Sequence, residues 1–386
     1  MKIKFNETQE QLELIAAVGS KKKHESDAAN EAFAALVGPT LGKIYQQADT
    51  TKFLYSDWAY RADEDPSLPL ELFAQVPEGY FGIWSAPLPG GVPTNTVHQP
   101  IEEVKFTTYR LDSAWSILSK YARQMRLPII AKALERLLQE VLLKTNQSAW
   151  SVVLAALAQA RHDFRGNQTG HVFASAQPGK FTLDDFNQLL TFFRRLNSSW
   201  VGGTPVGGAS KPTDIIISPE MMEKFRAMAY NPINTKSANE VTIANGTDAN
   251  SAAVVTLPEA QRAAFYQSGG IPEFFGINVL ELLELGKNQD YEVLFSDYIQ
   301  GTVLPRINGA ASSETFDPAN DELVIVVDAS KELALRAIAT DSDTGSVFSL
   351  EADNQFVNRS GKVGWWGGIE EGRMVLETRG LAALVV

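Results

Sequence analysis

Apolar residues recur at helical spacing through Ile130, Leu134, Leu137, Leu138, Val141 and Leu142, while Lys132, Glu135, Arg136, Gln139 and Glu140 fill the opposite side. Positions three and four apart share a helix face, so this pattern predicts a long helix with one buried stripe. Arg136 and Glu140 are spaced for an i,i+4 ion pair on its outer side. Pro128 forces a kink or a restart at the head of the block, and Ser113 is placed to cap a preceding helix that runs to Arg126. Just upstream the period changes. Val104, Phe106 and Thr108 alternate with Lys105, Thr107 and Tyr109, the signature of a two-faced strand.

Between Arg61 and Pro100 prolines concentrate, and Pro87-Leu88-Pro89-Gly90-Gly91-Val92-Pro93 is a strong turn signal. Tyr80-Phe81-Gly82-Ile83-Trp84 before it is short, aromatic and strand-like. The reading is a long irregular β-hairpin. Tyr80, Phe81, Trp84, Leu88 and Val92 give it more apolar surface than a solvated loop carries, so something must cover it.

Elsewhere the pattern predicts further elements. Gln9 to Val18 and Glu25 to Leu36 read as short amphipathic helices, the second stopped near Gly38-Pro39, which suits an N-terminal arm better than a domain. Residues 148 to 164 read as an Ala-rich buried helix. Thr182 caps a helix with Phe186, Leu189, Leu190 and Phe193 on one side. Gly202 to Lys211 reads as a connector. Asp214 to Ile217 reads as a buried strand, followed by Ser218 as cap, Pro219 at the first helical position and a helix. Asn231 to Ala253 is polar loop or hairpin with a tight turn at Asn245-Gly246, and Pro258 opens a short helix that ends at Gly269-Gly270. Strands are expected at Gly276–Leu280, Tyr291–Phe295, Leu323–Val327 and Leu335–Thr340, and the tail runs from Gly-Trp-Trp-Gly-Gly to an apolar end.

Composition narrows the chemistry. The 386 residues are 44% hydrophobic and 21% charged, enough for two ordinary domains or one large one. No apolar run reaches the length of a membrane span, and the N-terminus has no apolar signal core, which favours a protein kept in the cytoplasm. Cysteine is absent, which excludes disulfides, thiolate nucleophiles and Cys-ligated metal. The formal charge of −12 is opposite in sign to that of a sequence-independent DNA binder. Lys21-Lys22-Lys23 is the one basic cluster. It reads as a solvated helix end, with a contact to an acidic partner or to nucleic acid as the sharper alternative.

Catalytic motifs are missing. Gly207-Gly208-Ala209-Ser210-Lys211 has glycines and a lysine, but not the glycine-lysine adjacency of a phosphate loop. No GxGxxG follows a strand, and GxSxG and HExxH do not occur. The histidines are His24, His98, His162 and His171, the last two separated by a loop-like segment. Asp184-Asp185 falls in a helix start and Glu370-Glu371 near a turn, where dipole-favoured or solvated roles suit them better than acid–base work. Trp365-Trp366 reads as packing at a strand start. Neither a cofactor nor a metal is expected.

The order of these elements resembles the major capsid proteins of tailed double-stranded DNA bacteriophages, with the Hong Kong 97-type fold. The resemblance runs over nearly the whole chain. It rests on the hairpin tipped by PLPGGVP, on VKFTTYRLDSAWSIL leading into the long helix, on KPTDIIISPEMMEKFRAM and FFGINVLELLELG, and on the closing GKVGWWGGIEEGRMVLETRGLAALVV. It implies an α+β fold with an N-terminal arm (1–55), an extended loop hairpin (56–111), a peripheral domain with its spine helix (112–210), an axial domain (211–350) and return strands (351–386). The implied function is self-assembly as hexamers and pentamers into an icosahedral shell that encloses DNA without sequence-specific binding, in the virion, after assembly in the bacterial cytoplasm. The extended loop would be the assembly interface, through Tyr80, Phe81, Trp84, Leu88 and Val92. Ile130, Leu134, Leu137, Leu138 and Val141 would be the core face of the spine helix.

Implied partners are further copies of the chain, a portal, and a separate scaffolding protein or none, with non-covalent contacts or a decoration protein stabilising the shell. Some family members cross-link a loop lysine to an asparagine; Arg61 to Pro100 contains no lysine, so a lysine there cannot serve. An encapsulin-type nanocompartment shell is the alternative within the same fold. An enzyme using acidic residues with His162 or His171 is the alternative outside it.

Overall fold

The computed structural model describes residues 9–61, 64–69, 103–124, 127–164, 167–196, 212–230, 273–274, 276–329, 333–340, 346–353, 361–376 and 378–386. Its architecture is mixed α+β. The chain divides into two compact units. One is built from Met1–Phe73, Pro100–Trp150 and Ala334–Leu376, the other from Ala74–Gln99, Ser151–Leu333 and Glu377–Val386.

The first unit opens with α1 (Gln9–Val18) and α2 (Lys23–Ala48). The sequence signals stop the second helix near Gly38-Pro39, yet α2 runs through them for 26 residues. Its apolar face explains the continuation. Phe33, Val37, Leu41 and Tyr45 are buried in the same core cluster as Ile15 and Val18 of α1, and that burial outweighs the roughly 3 kcal/mol a mid-helix proline costs. The glycines serve contact rather than termination. A Cβ at Gly42 would lie 3.1 Å from Ser346 Oγ, so the helix approaches that segment closely because the side chain is missing. The stretch read as an arm is thus folded into this unit's core over residues 9–48.

Five strands make the unit's sheet. They are β1 (Tyr55–Arg61), β4 (Thr108–Leu118), β12 (Ala334–Thr340), β13 (Ser349–Asp353) and β14 (Lys362–Val375), in the order β1-β12-β14-β13, with β4 also on β14. β1 runs parallel to β12, and the other pairs are antiparallel. The short strands β2 (Ser67–Pro69) and β3 (Glu103–Lys105) pair with each other.

Two helix readings are corrected here. Ser113 does not cap a helix, because residues 108–118 form β4 and only Ser119–Arg123 is helical (α3). Tyr109, Leu111, Trp115 and Ile117 alternate with exposed positions, and eleven consecutive residues pair with β14, so period two prevails. After α3 comes α4, a continuous 33-residue helix from Leu127 to Gln159, where the pattern suggested a separate helix from residue 148. The polar turn Thr145-Asn146-Gln147-Ser148 does not interrupt it; Thr145 is buried and its hydroxyl donates to the Leu142 carbonyl at 3.0 Å. Ile130, Leu134, Leu137, Leu138 and Val141 are buried against α1, α2 and the sheet side chains Ile117, Val363, Trp365 and Ile369.

The second unit holds the hairpin β5 (Arg161–Phe164) and β6 (Asn167–Gly170) and a six-stranded sheet ordered β7-β15-β11-β8-β10-β9. Its strands are β7 (Val172–Ala174), β8 (Asp214–Ile217), β9 (Glu273–Phe274), β10 (Ile277–Glu281), β11 (Leu323–Val327) and β15 (Leu381–Val385). β8, β11 and β15 are buried at every position, which is why they read as continuous apolar runs rather than alternating ones. Helices α5 (Leu183–Leu196) and α6 (Pro219–Tyr230) supply Phe186, Leu189, Phe193, Met221 and Phe225 to the core beneath them. Ser218 caps α6, accepting from the Met221 amide at 3.0 Å.

Tyr291–Phe295 is not a strand but part of α7 (Asp290–Ile299). Its five-residue alternation is local. Over ten residues Tyr291, Phe295 and Ile299 recur every four positions and are buried, and Asp290 and Glu292 favour a helix start. The segment between His162 and His171 is likewise the β5–β6 hairpin rather than a loop. The expected turn at Asn245-Gly246 and the helix opening at Pro258 lie outside the described residues.

Candidate functional site: a buried arginine–carboxylate cluster

The densest polar chemistry among the described residues lies inside the first unit. It begins where α2 ends. Asp49, in extended conformation at that C-cap, accepts the Thr51 amide at 2.9 Å and the Thr51 hydroxyl at 2.7 Å through one oxygen. Its other oxygen accepts Nη1 of Arg336. Arg336 faces Asp57 across the parallel β1–β12 pair and holds it with both arms, Nε to Oδ1 at 2.8 Å and Nη2 to Oδ2 at 2.9 Å.

Arg373 on β14 completes the arrangement. Its Nε and Nη2 donate to the two oxygens of Glu371, two residues away on the same strand face, at 3.0 and 3.1 Å. Nη1 donates to Thr51 Oγ1 at 3.1 Å, and the guanidinium lies 5.0 Å from the centre of the Tyr55 ring. Glu371 also accepts the hydroxyls of Tyr109 and Tyr45, at 2.5 and 3.4 Å. Asp49, Arg336, Glu371 and Arg373 are all buried.

Electrostatics explains why these charges survive burial. Desolvation alone would lower both guanidinium pKa values, but the hydrogen bonds and charges of Asp57 and Asp49 around Arg336, and of Glu371 around Arg373, hold them above the ordinary value. Burial, reinforced by the Glu371 carboxylate, pushes the phenols of Tyr45 and Tyr109 up, so both remain neutral donors. Donors and acceptors are consumed by one another. Chemically this is a tie: it joins the end of α2, the strand β1, and the two strands β12 and β14 from the C-terminal part of the chain.

Sequence reasoning did not find this cluster. Glu371 was read as lying near a turn with a solvated role; it lies within β14 and is buried. Asp49 and Asp57 look like ordinary surface acids. The single local sign is Arg336, a charge in the middle of the otherwise apolar strand Ala334–Thr340.

The other singled-out residues fall into ordinary places. Asp185 is buried in a capping box, where Thr182 Oγ1 donates to it at 2.6 Å and accepts its amide at 3.2 Å. Lys21, Lys22 and Lys23 are exposed, and Lys22 pairs with Glu25 at 2.8 Å. Trp365 is buried and stacks on Trp115 at 4.4 Å between ring centres. His171 is buried, which lowers its pKa, and its Nδ1 lies 2.8 Å from the Leu381 carbonyl, so the neutral ring donates there. Tyr80, Phe81, Trp84, Leu88, Val92 and His98 lie outside the described residues. Among the described residues no group of three or more His, Asp or Glu is placed to hold a metal, and no helix is long and apolar enough to cross a membrane.

A second buried acid pair sits in the other unit. Glu322 accepts the Ser218 hydroxyl at 3.0 Å and faces Lys224 and Lys287 at 3.4 and 3.9 Å. Glu292 accepts the Leu323 amide at 3.0 Å; burial, with Glu322 and Glu220 nearby, raises its pKa to about 8.

No protein-family model and no curated protein sequence matches the chain. Similarity is found among solved structures. The capsid structure of the cyanophage P-SCSP1u aligns at TM-score 0.43 and 12% identity, covering 87% of this chain and 88% of the other. A structure from Microbacterium phage Oxtober96 aligns at TM-score 0.45 and 10% identity, covering 88% and 90%. The SrpI encapsulin from Synechococcus elongatus PCC 7942 aligns at TM-score 0.38 and 12% identity, covering 74% and 75%.

Proposed function

We propose that this chain is the major capsid protein of a tailed double-stranded DNA bacteriophage, a shell subunit of Hong Kong 97-type fold without catalysis of its own. One observation carries the reading. The paired strands β2 and β3 bring together the two ends of a proline-rich stretch, residues 70–102, and β4 then leads through α3 into the 33-residue α4, with segments from both ends of the chain packed around that passage. Tyr80, Phe81 and Trp84 in that stretch would be covered by neighbouring copies.

In this reading the chain assembles as hexamers and pentamers in the host cytoplasm with a portal, its scaffolding protein, where one is used, is a separate chain, and non-covalent contacts or a decoration protein stabilise the shell. The stretch between β2 and β3 acts as the extended loop and the unit holding the six-stranded sheet as the axial domain, while β1, β4, β12 and β13 stay in the first unit's sheet. Many moderate contacts made at once give a stable shell while keeping errors reversible.

The test is negative-stain electron microscopy with solution mass, on the chain alone and with its upstream gene partner. Closed shells, tubes, or rings of five and six are expected. A small uniform oligomer under both conditions would overturn the reading. Shells that carry protein cargo and no DNA in their native source would move it to the nanocompartment alternative.

A further inference from the structure

β4 is an edge strand eleven residues long, and among the described residues it pairs only with β14. Which of its backbone groups are spent there follows from the ladder. Ser119 donates its amide to Gly361 at 3.0 Å, continuing the register in which Leu118 faces Lys362. Antiparallel partners exchange hydrogen bonds at every second residue, so odd positions from Tyr109 to Ile117 turn their amides and carbonyls to β14. Even positions turn theirs outward. Arg110, Asp112, Ala114, Ser116 and Leu118 are all exposed. Among the described residues this row has no strand partner, and an open row of this length is a template for another strand.

Charge selects the partner. Arg110 and Asp112 lie on the same face and are bonded to each other at 2.7 Å. Both are supported from β14. The Arg110 guanidinium rests 4.6 Å above the Trp366 ring, and Asp112 lies over Gly368, its register partner, where any Cβ would collide with the carboxylate.

We propose that this edge pairs with the same edge of a second copy, antiparallel, about a two-fold axis at Leu111. The proposal rests on the self-association reading and names one of its contacts. Outward-facing residues must pair with outward-facing residues. The register centred on Leu111 sets each Arg110 opposite Asp112 of the other copy, and Thr108 opposite Ala114. The axis is perpendicular to the sheet, so both salt bridges come to one face as a ring of four alternating charges. A register centred on Ser113 would set Arg110 against Ser116 and leave both charges unmatched. The partner is thus a second copy of this chain, and the two sheets become one continuous sheet across the contact.

Three variants test this in assembly reactions followed by light scattering and electron microscopy. Ala114→Pro removes an outward amide and leaves the β14 ladder untouched. Asp112→Arg opposes like charges. The double variant R110D/D112R restores complementarity with the signs exchanged. The first two should raise the concentration needed for assembly about tenfold or more, and the double variant should return it toward wild type. Circular dichroism of the unassembled chains checks folding; should Ala114→Pro unfold, the two charge variants decide the matter. If all variants assemble like wild type, the edge contact is wrong and the shell reading stands. If D112R fails and the double variant fails equally, the register is wrong and the proposal falls. If wild type itself stays monomeric at every concentration, both readings fall together.

Discussion

Arg336 and Arg373 stand directly opposite each other on the antiparallel strands β12 and β14, two buried guanidiniums in register. Left alone they would repel in a medium where charge is poorly screened. The pair is tolerable because Asp57 and Asp49 bracket one member and Glu371 holds the other with both oxygens. Burial makes such a network sensitive to the loss of any single member, far more than to its replacement as a whole.

Replacing Arg336 by Leu should therefore destabilise the chain by about 3–5 kcal/mol, since it strands buried Asp49 and frees Asp57. Asp57→Asn should cost less, because Asp57 keeps a third of its surface exposed. Urea denaturation of the unassembled chain measures both, and equal losses would contradict the burial argument.

Within α2, Pro39 removes one backbone hydrogen bond from a helix that its apolar face nevertheless holds. Pro39→Ala should stabilise the chain by roughly 1–3 kcal/mol, visible as a higher melting temperature. Gly42→Leu should act in the opposite direction, because its Cβ already meets Ser346. A neutral Pro39→Ala would mean that the proline relieves strain elsewhere in α2.

Glu292 gives a pH dependence with a defined sign. Its folded pKa of about 8 lies above the ordinary 4.5, so between these values the folded chain binds more protons than the unfolded one. Stability should fall as pH rises through that window, by at most about 1.4 kcal/mol per pH unit. Glu292→Gln should flatten the slope between pH 5 and 8 in chemical denaturation. An unchanged slope would assign the dependence to other groups.

On α4, Leu138 is fully buried in the core shared with α1 and α2. Leu138→Ala should cost about 2–5 kcal/mol, while Leu143→Ala on the exposed side should change stability by less than about 0.5 kcal/mol. Thermal melts of the two variants side by side make the comparison.

The double variant Phe81→Ser with Trp84→Ser separates folding from assembly on the proposed reading. It should leave the unassembled chain's melting temperature unchanged and abolish or deform shells in micrographs. Normal shells from the double variant would show that Phe81 and Trp84 are not part of the assembly interface.

What the sequence determined by itself was periodicity over long distances. The stripe Ile130–Val141 announced a helix, and the runs DIII and LVIVV announced strands, because strongly patterned burial leaves few alternatives. Cap chemistry was legible too: Thr182 and Ser218 act within three residues of themselves. Only tertiary structure decided the rest. β4 became a strand because β14, some 250 residues away, pairs with all of it, and α2 ran through its proline because a core was present on one face. The arginine cluster was beyond local reading for the same reason. Asp49 and Arg336 are 287 positions apart, and no spacing rule connects a helix cap to a strand that the fold brings beside it. Short-range chemistry is written in neighbouring residues, whereas a buried charge finds its counter-charge only after the chain has closed around it.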